Sequence, residues 1–324
     1  MGGSSTQTGG ATGVGGSSAT GGSAPSGGTV STGGVLGTGG AGTGGSTGGN
    51  RDAGPDARFD VGADTGPGPD VIPVGDVDPS KKITVWMSGD STMSGDTIDT
   101  TACASCPCGW GAQFSTAFNS NVSVIDRAVA GRSIQTWLYE GNVSATTVGG
   151  ECVVSPKTYS ANWNAMLDAN TGMKPGDYLL ISFGINDGSA CPRHVGTALF
   201  QTYLTTMAQE AKDRGAQAIF VTPTNAIQCN GSTAVTNTRG AYVDATKTAG
   251  TTANVPVIDL TTLSAQLYTS AGLCPNSGSY TTGTVGAFFC NDHTHFEKAG
   301  ALQIVSTVAK ALRDQGIGLA AYLK

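Results

Sequence analysis

Charge is scarce in this 324-residue chain: Asp, Glu, Lys and Arg make up 12% of it, and the first 50 residues contain none of them. No stripe of Lys and Arg interleaved with aromatics runs along it, which excludes binding driven by neutralising nucleic-acid phosphates. No apolar run reaches the roughly 18 residues that a membrane-crossing helix needs, and no signal-peptide hydrophobic region follows Met1. Histidine is scarcer still. With only His194, His293 and His295 present, a three-histidine zinc site would consume all of them and leave no imidazole base, so none is expected.

Glycine is what the chain has in excess, 50 residues of it, and 26 of these fall within residues 1–80. Gly, Ser, Thr and Ala without charge or large apolar groups cannot bury enough surface to offset chain entropy, so 1–80 is expected to be a disordered tether with an acidic, Pro-containing end. The acidic balance belongs to that end: residues 51–80 carry two Arg and seven Asp, whereas 81–324 carry 15 basic and 16 acidic residues. Gly37, Gly39 and Gly42 satisfy a dinucleotide-binding glycine pattern, but no strand precedes them and no helix follows, so the match is chance. Residues 81–324 are long enough for one sizeable core and are read as a single domain and a monomer.

Eight cysteines, at 103, 106, 108, 152, 191, 229, 274 and 290, all lie in that domain. An even count behind a polar tether predicts up to four disulfides and an oxidising compartment. The 103–108 cluster would alternatively begin a zinc or redox site, but no second ligand pair with the right spacing follows. Cys274 and Cys290 bound a Gly/Ser/Thr-rich loop and are expected to staple it, which on a chain-entropy estimate stabilises by about 3 kcal/mol. Secretion or tethering to a cell surface follows. The start on Met-Gly-Gly-Ser-Ser reads as one from which an export signal was removed, in the manner of a bacterial lipoprotein, although the lipidated cysteine is not present.

Five short, β-branched apolar runs, 83–87, 122–129, 178–183, 218–222 and 255–258, alternate with helical patterns, as in a parallel sheet buried on both faces. The clearest helix carries Phe200, Tyr203, Leu204, Met207 and Ala211 on one face and stops near Gly215. The last is expected over 295–315, with Thr294 as cap, Glu297 reaching back to it, and Gly316 as the stop. Right-handed crossovers then give an α/β fold, a three-layer α/β/α sandwich with a flavodoxin-like five-stranded parallel sheet. Segment 140–160 lacks periodicity and reads as a surface insertion.

Ligands of such sheets bind beyond the carboxyl ends of the strands. There the chain places Gly89-Asp90-Ser91-Thr92-Met93, then Ala130-Gly131-Arg132-Ser133, then Gly184-Ile185-Asn186-Asp187-Gly188, and, before the last helix, Asp292-His293-Thr294-His295-Phe296. Each block alone reads as a turn or cap. Together they supply what acyl transfer requires: a hydroxyl nucleophile in Ser91, an imidazole base in His295, a carboxylate in Asp292 to orient it, and oxyanion donors from the N–H groups of Ser91 and Gly131 and the Asn186 amide. Glycine at 131 is expected to keep a side chain out of the path of the backbone's approach. Asp187 is expected to shape the turn that aims Asn186, and Asp90 to bond backbone near Ser91, rather than to form a glycosidase pair. His293, beside the base, and Trp137, after the Gly131 block, are the candidate substrate contacts, whereas Trp86 lies within a strand and is assigned to the core. His194 is read as a loop residue.

These four ordered blocks resemble the SGNH (GDSL) hydrolases, whose namesake residues correspond to Ser91, Gly131, Asn186 and His295. Gly-Asp-Ser-Thr-Met, Ala-Val-Ala-Gly-Arg-Ser, Phe-Gly-Ile-Asn-Asp-Gly and Asp-His-Thr-His-Phe resemble one branch more closely, the rhamnogalacturonan acetylesterases, over about residues 83–315. The resemblance implies a secreted, cofactor-free serine esterase that removes acetyl groups from plant cell-wall polysaccharide, rhamnogalacturonan (pectin) first and xylan next. Departures at 140–160, 103–108 and 274–290 leave other esters open: an arylesterase, lipase or thioesterase of the same fold, or, in another class, an inactive carbohydrate-binding domain.

Overall fold

The structure, a computed structural model, describes residues 72–95, 103 and 106–324. The expected tether up to residue 71, and the glycine pattern at 37–42, lie outside the described residues. The rest of the expected tether does not behave as one. Pro73 bridges to Ile317, the Tyr322 hydroxyl donates to the Asp78 carbonyl at 3.1 Å, and the Asn121 amide donates to the Pro79 carbonyl at 3.0 Å. The folded domain therefore begins before the expected residue 81.

Strands β1 (Ile83–Gly89), β2 (Val122–Asp126), β5 (Tyr178–Ser182), β6 (Gln217–Val221) and β9 (Val257–Ile258) form one sheet in the order β2-β1-β5-β6-β9. Every pairing is parallel, so all the carboxyl ends emerge on one edge. Strand alternation sorts the core in two. Val85, Met87, Leu180, Ile219 and Val221 pack with helices α1 (Trp110–Gln113), α6 (Leu260–Ser270), α7 (Gly283–Phe288) and α8 (Lys298–Asp314). Trp86, Leu179, Ile181 and Phe220 pack with α2 (Ile134–Tyr139), α3 (Ala161–Leu167), α4 (Thr197–Asp213) and α5 (Ala241–Ala253). These are the three expected layers. Strand ends differ from the sequence expectation where another partner takes the backbone: the Val255 N–H donates to Gly250 O at the end of α5, which leaves β9 to start at Val257.

Segment 140–160 holds an exposed antiparallel hairpin, β3 (Val143–Val148) and β4 (Glu151–Val154), and a second small hairpin pairs β7 (Cys229–Asn230) with β8 (Thr233–Ala234). All eight cysteines are paired, as Cys103–Cys108, Cys106–Cys290, Cys152–Cys191 and Cys229–Cys274. The expected Cys274–Cys290 staple is thus incorrect. Cys290 N–H donates to His295 O and Cys108 N–H to Phe296 O, which brings the 106–108 segment onto Cys290, while Cys274 meets Cys229 of the small hairpin.

The expected start of the last helix is also corrected. Helix α8 begins at Lys298 with Glu297 as N-cap and no side-chain cap bond. Residues before it are held by other contacts: Phe296 bridges to Phe289, and Glu297 N–H donates to Phe288 O. Thr294, assigned above as the cap, instead bonds His293 Nδ1 at 2.7 Å and accepts from Arg239 at 3.2 Å.

Candidate active site

Ser91 stands immediately past β1. Gly89, the last residue of that strand, has no room for a side chain: a Cβ there would lie 2.8 Å from Met93 Sδ and 2.9 Å from Ser182 O. Its smallness lets the turn close tightly over the strand end. Asp90, 1% exposed, accepts from the Thr92 N–H and hydroxyl, both at 2.9 Å, and so sets the turn that presents Ser91. Burial raises its pKa, against the pull of those bonds, of Arg239 and of His295.

From the other end of the domain, Asp292 Oδ1 accepts the N–H groups of Thr294 and His295, each at 2.7 Å, winding 292–295 into a tight turn. That turn aims the imidazole. His295 Nδ1 lies 2.6 Å from Asp292 Oδ2 and Nε2 lies 2.8 Å from Ser91 Oγ. Partial burial works to raise the Asp292 carboxyl, but the bonds from His295 and Thr294 outweigh it and hold it below the ordinary value. A carboxylate that stays ionised orients the ring and stabilises the imidazolium formed when the ring accepts a hydroxyl proton. Ser91, His295 and Asp292 are therefore joined in one hydrogen-bonded chain, and an ester carbonyl placed against Ser91 Oγ is what such a chain can attack.

The third group of expected residues is held by Asp187. This fully buried side chain accepts Ile134 N–H on one oxygen and Gly184 N–H on the other, both at 2.9 Å. It thereby ties the entrance of α2, just past Gly131, to the turn carrying Asn186. Burial pushes its pKa up to about 7, against those two bonds and with a further push from Asp90. The Asn186 amide donates to Arg132 O at 3.0 Å, which leaves its second N–H for a ligand. Gly131 has φ of +74° and a Cβ there would meet nothing within 4 Å. Its requirement is thus the left-handed backbone, not the crowding expected from sequence. The N–H groups of Ser91 and Gly131 donate to no acceptor among the described residues.

Two expected contacts separate here. Trp137 does not line the site: it is 1% exposed, packs edge-on to Trp163, and donates its indole N–H to Arg127 O at 2.8 Å. The apolar face of α2 carries it into the core, and Trp86, Trp110 and Trp163 are buried as well. His293 is exposed beside the Asp292–His295 turn, with Tyr280 edge-on at 6.2 Å. The carbonyl of His194 lies 3.2 Å from Cys152 Sγ, which is bonded to Cys191 and has no proton to donate.

Sequence reasoning missed Arg239. Its guanidinium donates to Thr224 O at 2.8 Å and to Thr294 Oγ1, and burial lowers its pKa against the fields of Asp90, Tyr268 and Asp292. It lies in an Asn-Thr-Arg-Gly loop ahead of α5, with no motif to mark it. Cys106 and Cys290 approach Glu297 as a metal site would, but the two sulfurs are bonded to each other. An open cleft of about 450 Å³ lined by Ala216, Gln217, Ala218, Val255 and Pro256 lies at the amino ends of β6 and β9, on the opposite edge of the sheet from Ser91.

Residues 87–301 match the GDSL-like Lipase/Acylhydrolase family. The rhamnogalacturonan acetylesterase RhgT of Bacillus subtilis (strain 168) is 30% identical over 263 residues, 75% of this chain and 95% of the relative. A rhamnogalacturonan acetylesterase of Emericella nidulans is 25% identical over 260 residues, 73% of this chain and 87% of the relative. Among solved structures, that of Bacillus subtilis YxiM superposes with a TM-score of 0.54 at 23% identity, over 73% of this chain and 58% of that one; this likeness bears on the fold.

Proposed function

We propose that this chain, which belongs to the GDSL-like lipase/acylhydrolase family and is a carboxylic ester hydrolase, removes O-acetyl groups from plant cell-wall polysaccharide, rhamnogalacturonan first and xylan next. The observation that carries the chemistry is the unbroken chain from Ser91 Oγ through His295 to Asp292, at 2.8 and 2.6 Å. The relatives named as rhamnogalacturonan acetylesterases support the substrate.

Ser91 Oγ attacks the acetyl carbonyl as its proton passes to His295 Nε2. The N–H groups of Ser91 and Gly131 and the free N–H of Asn186 receive the oxyanion. The sugar alkoxide leaves with the proton from His295, and a water activated by the same imidazole releases acetate from Ser91. Asp292 holds the ring throughout. His293 and Tyr280, beside the triad, are the proposed sugar contacts on that side. The four disulfides support action in an oxidising, extracellular setting, and no helix among the described residues is long and apolar enough to cross a membrane. Residues 1–71 are proposed to act as the tether.

The test is acetate release by wild type and Ser91→Ala, side by side, from acetylated rhamnogalacturonan and acetylated xylan. Release by the wild type, lost in the variant with the melting temperature kept, is the expected result. Cleavage of long-chain or aryl esters with no release from either polymer would overturn the carbohydrate assignment.

A further inference from the structure

We propose that Arg193 is the residue that reads a free carboxylate on the substrate, so that an acetyl ester beside an ionised uronate is favoured over one beside the uronate's methyl ester. This rests on the acetylesterase reading above. Arg193 is exposed, and its Nη1 donates to Asn186 Oδ1 at 3.2 Å, which puts a guanidinium directly against a proposed oxyanion donor. That amide is neutral. Among the described residues, the other N–H donors of the fork meet no acceptor and no carboxylate pairs with it. Other arginines are differently placed: Arg132 is paired with Glu140 at 2.8 Å, Arg214 with Glu210 at 2.7 Å, and Arg239 is turned inward onto Thr224 and Thr294. A planar fork with its donors open matches a carboxylate in two-point geometry.

The loop that carries Arg193 is fixed at both ends. Val195 N–H donates to Asp187 O at 2.9 Å and Arg193 N–H to Ala190 O at 3.1 Å. Gly196 N–H reaches both oxygens of Glu151 at 3.0 Å, and Cys191 is bonded to Cys152. Glu151 and Cys152 belong to β4, so the inserted hairpin buttresses this loop. Such bracing lowers the ordering cost of an ion pair formed with a ligand.

The experiment compares acetate release from acetylated polygalacturonate, from the same polymer with its carboxylates methyl-esterified, and from acetylated xylan. Wild type, Arg193→Ala and Arg193→Lys are assayed for kcat/KM. The wild type is expected to favour the free-carboxylate polymer over its methyl ester by about tenfold, the worth of a charge-assisted bond at a wet site. Arg193→Ala should bring that ratio close to one, and Arg193→Lys should restore part of it. Loss of the Asn186 contact slows all substrates alike and cancels in the ratio. Equal rates on the two polymers in the wild type, or a preference that survives in Arg193→Ala, overturns the proposal while release from xylan leaves the acetylesterase reading standing. Release from no acetylated glycan overturns both.

Discussion

Asp292 and Asp187 are both aspartates that accept two backbone N–H groups beside a functional side chain, yet their environments drive them in opposite directions. Asp292, its side chain 44% exposed, is held below the ordinary value by its bonds. Asp187, fully buried, is pushed up to about 7. Asp292 takes a third bond, from His295, and stands open to water, whereas Asp187 has neither. One carboxylate is arranged to carry charge toward an imidazole, the other to fasten two loops.

The strongest way to break this comparison is Asp292→Asn. If Asp292 acts through charge, kcat falls by on the order of 10⁴-fold, as when a triad carboxylate is neutralised, while the melting temperature falls only slightly. An activity loss matched by a large drop in melting temperature would place Asp292 with the fasteners.

Asp187→Asn should show the converse balance. One amide NH₂ then faces a backbone donor, which costs about 1–3 kcal/mol and lowers the melting temperature by roughly 3–10 °C. kcat falls by about 10–100-fold because the Gly131 and Asn186 donors lose their common anchor. Full activity in a folded Asp187→Asn variant would separate the anchor from the oxyanion donors.

Acidity sharpens the contrast through its sign. Asp187 binds its proton more tightly folded than unfolded, so its contribution is fully present below about pH 4 and is lost as pH rises towards 7. The melting-temperature gap between wild type and Asp187→Asn should therefore narrow over that window. For Asp292 the folded pKa is lowered, so its contribution is present above about pH 4 and is lost as pH falls further. Its gap should narrow at the acid end. Parallel slopes for the two variants in melting scans from pH 3 to 7 would contradict the assignment.

The smallest effect expected belongs to neither carboxylate. Trp137→Phe removes the indole bond to Arg127 O, costs about 1 kcal/mol, and leaves KM on acetylated glycan unchanged.

The fold was legible because runs such as 178–183 are too apolar to be anything but doubly buried strands, although β2, at the sheet edge, is only partly buried, and because the hydrophobic face of α4 repeats cleanly. The Ser91 and Asp292–His295 blocks were legible because tight turns need particular residues at fixed offsets. Long-range choices were not. Nothing in residues 274–290 says that Cys274 faces Cys229, since pairing depends on which loops the sheet brings together. Thr294 and Glu297 satisfy a helix-cap pattern, and tertiary bonds from Arg239 and Phe288 override it. Trp137 follows Gly131 closely, but the helical period turns it inward. Arg239 bonds across gaps in sequence that no local pattern spans.

Ser91 and His295 are 204 residues apart in the chain, and the strands of the central sheet all lie between or before them. During synthesis the strand ahead of Ser91, the proposed nucleophile, emerges early, and His295, the proposed base, emerges only as the domain is nearly finished. Until the 292–297 turn docks against Phe288 and the 106–108 segment, Ser91 has no proton acceptor. Under the proposed mechanism a nascent or truncated chain is thus a scaffold without hydrolytic capacity, and chemical competence arrives together with the closing of the fold.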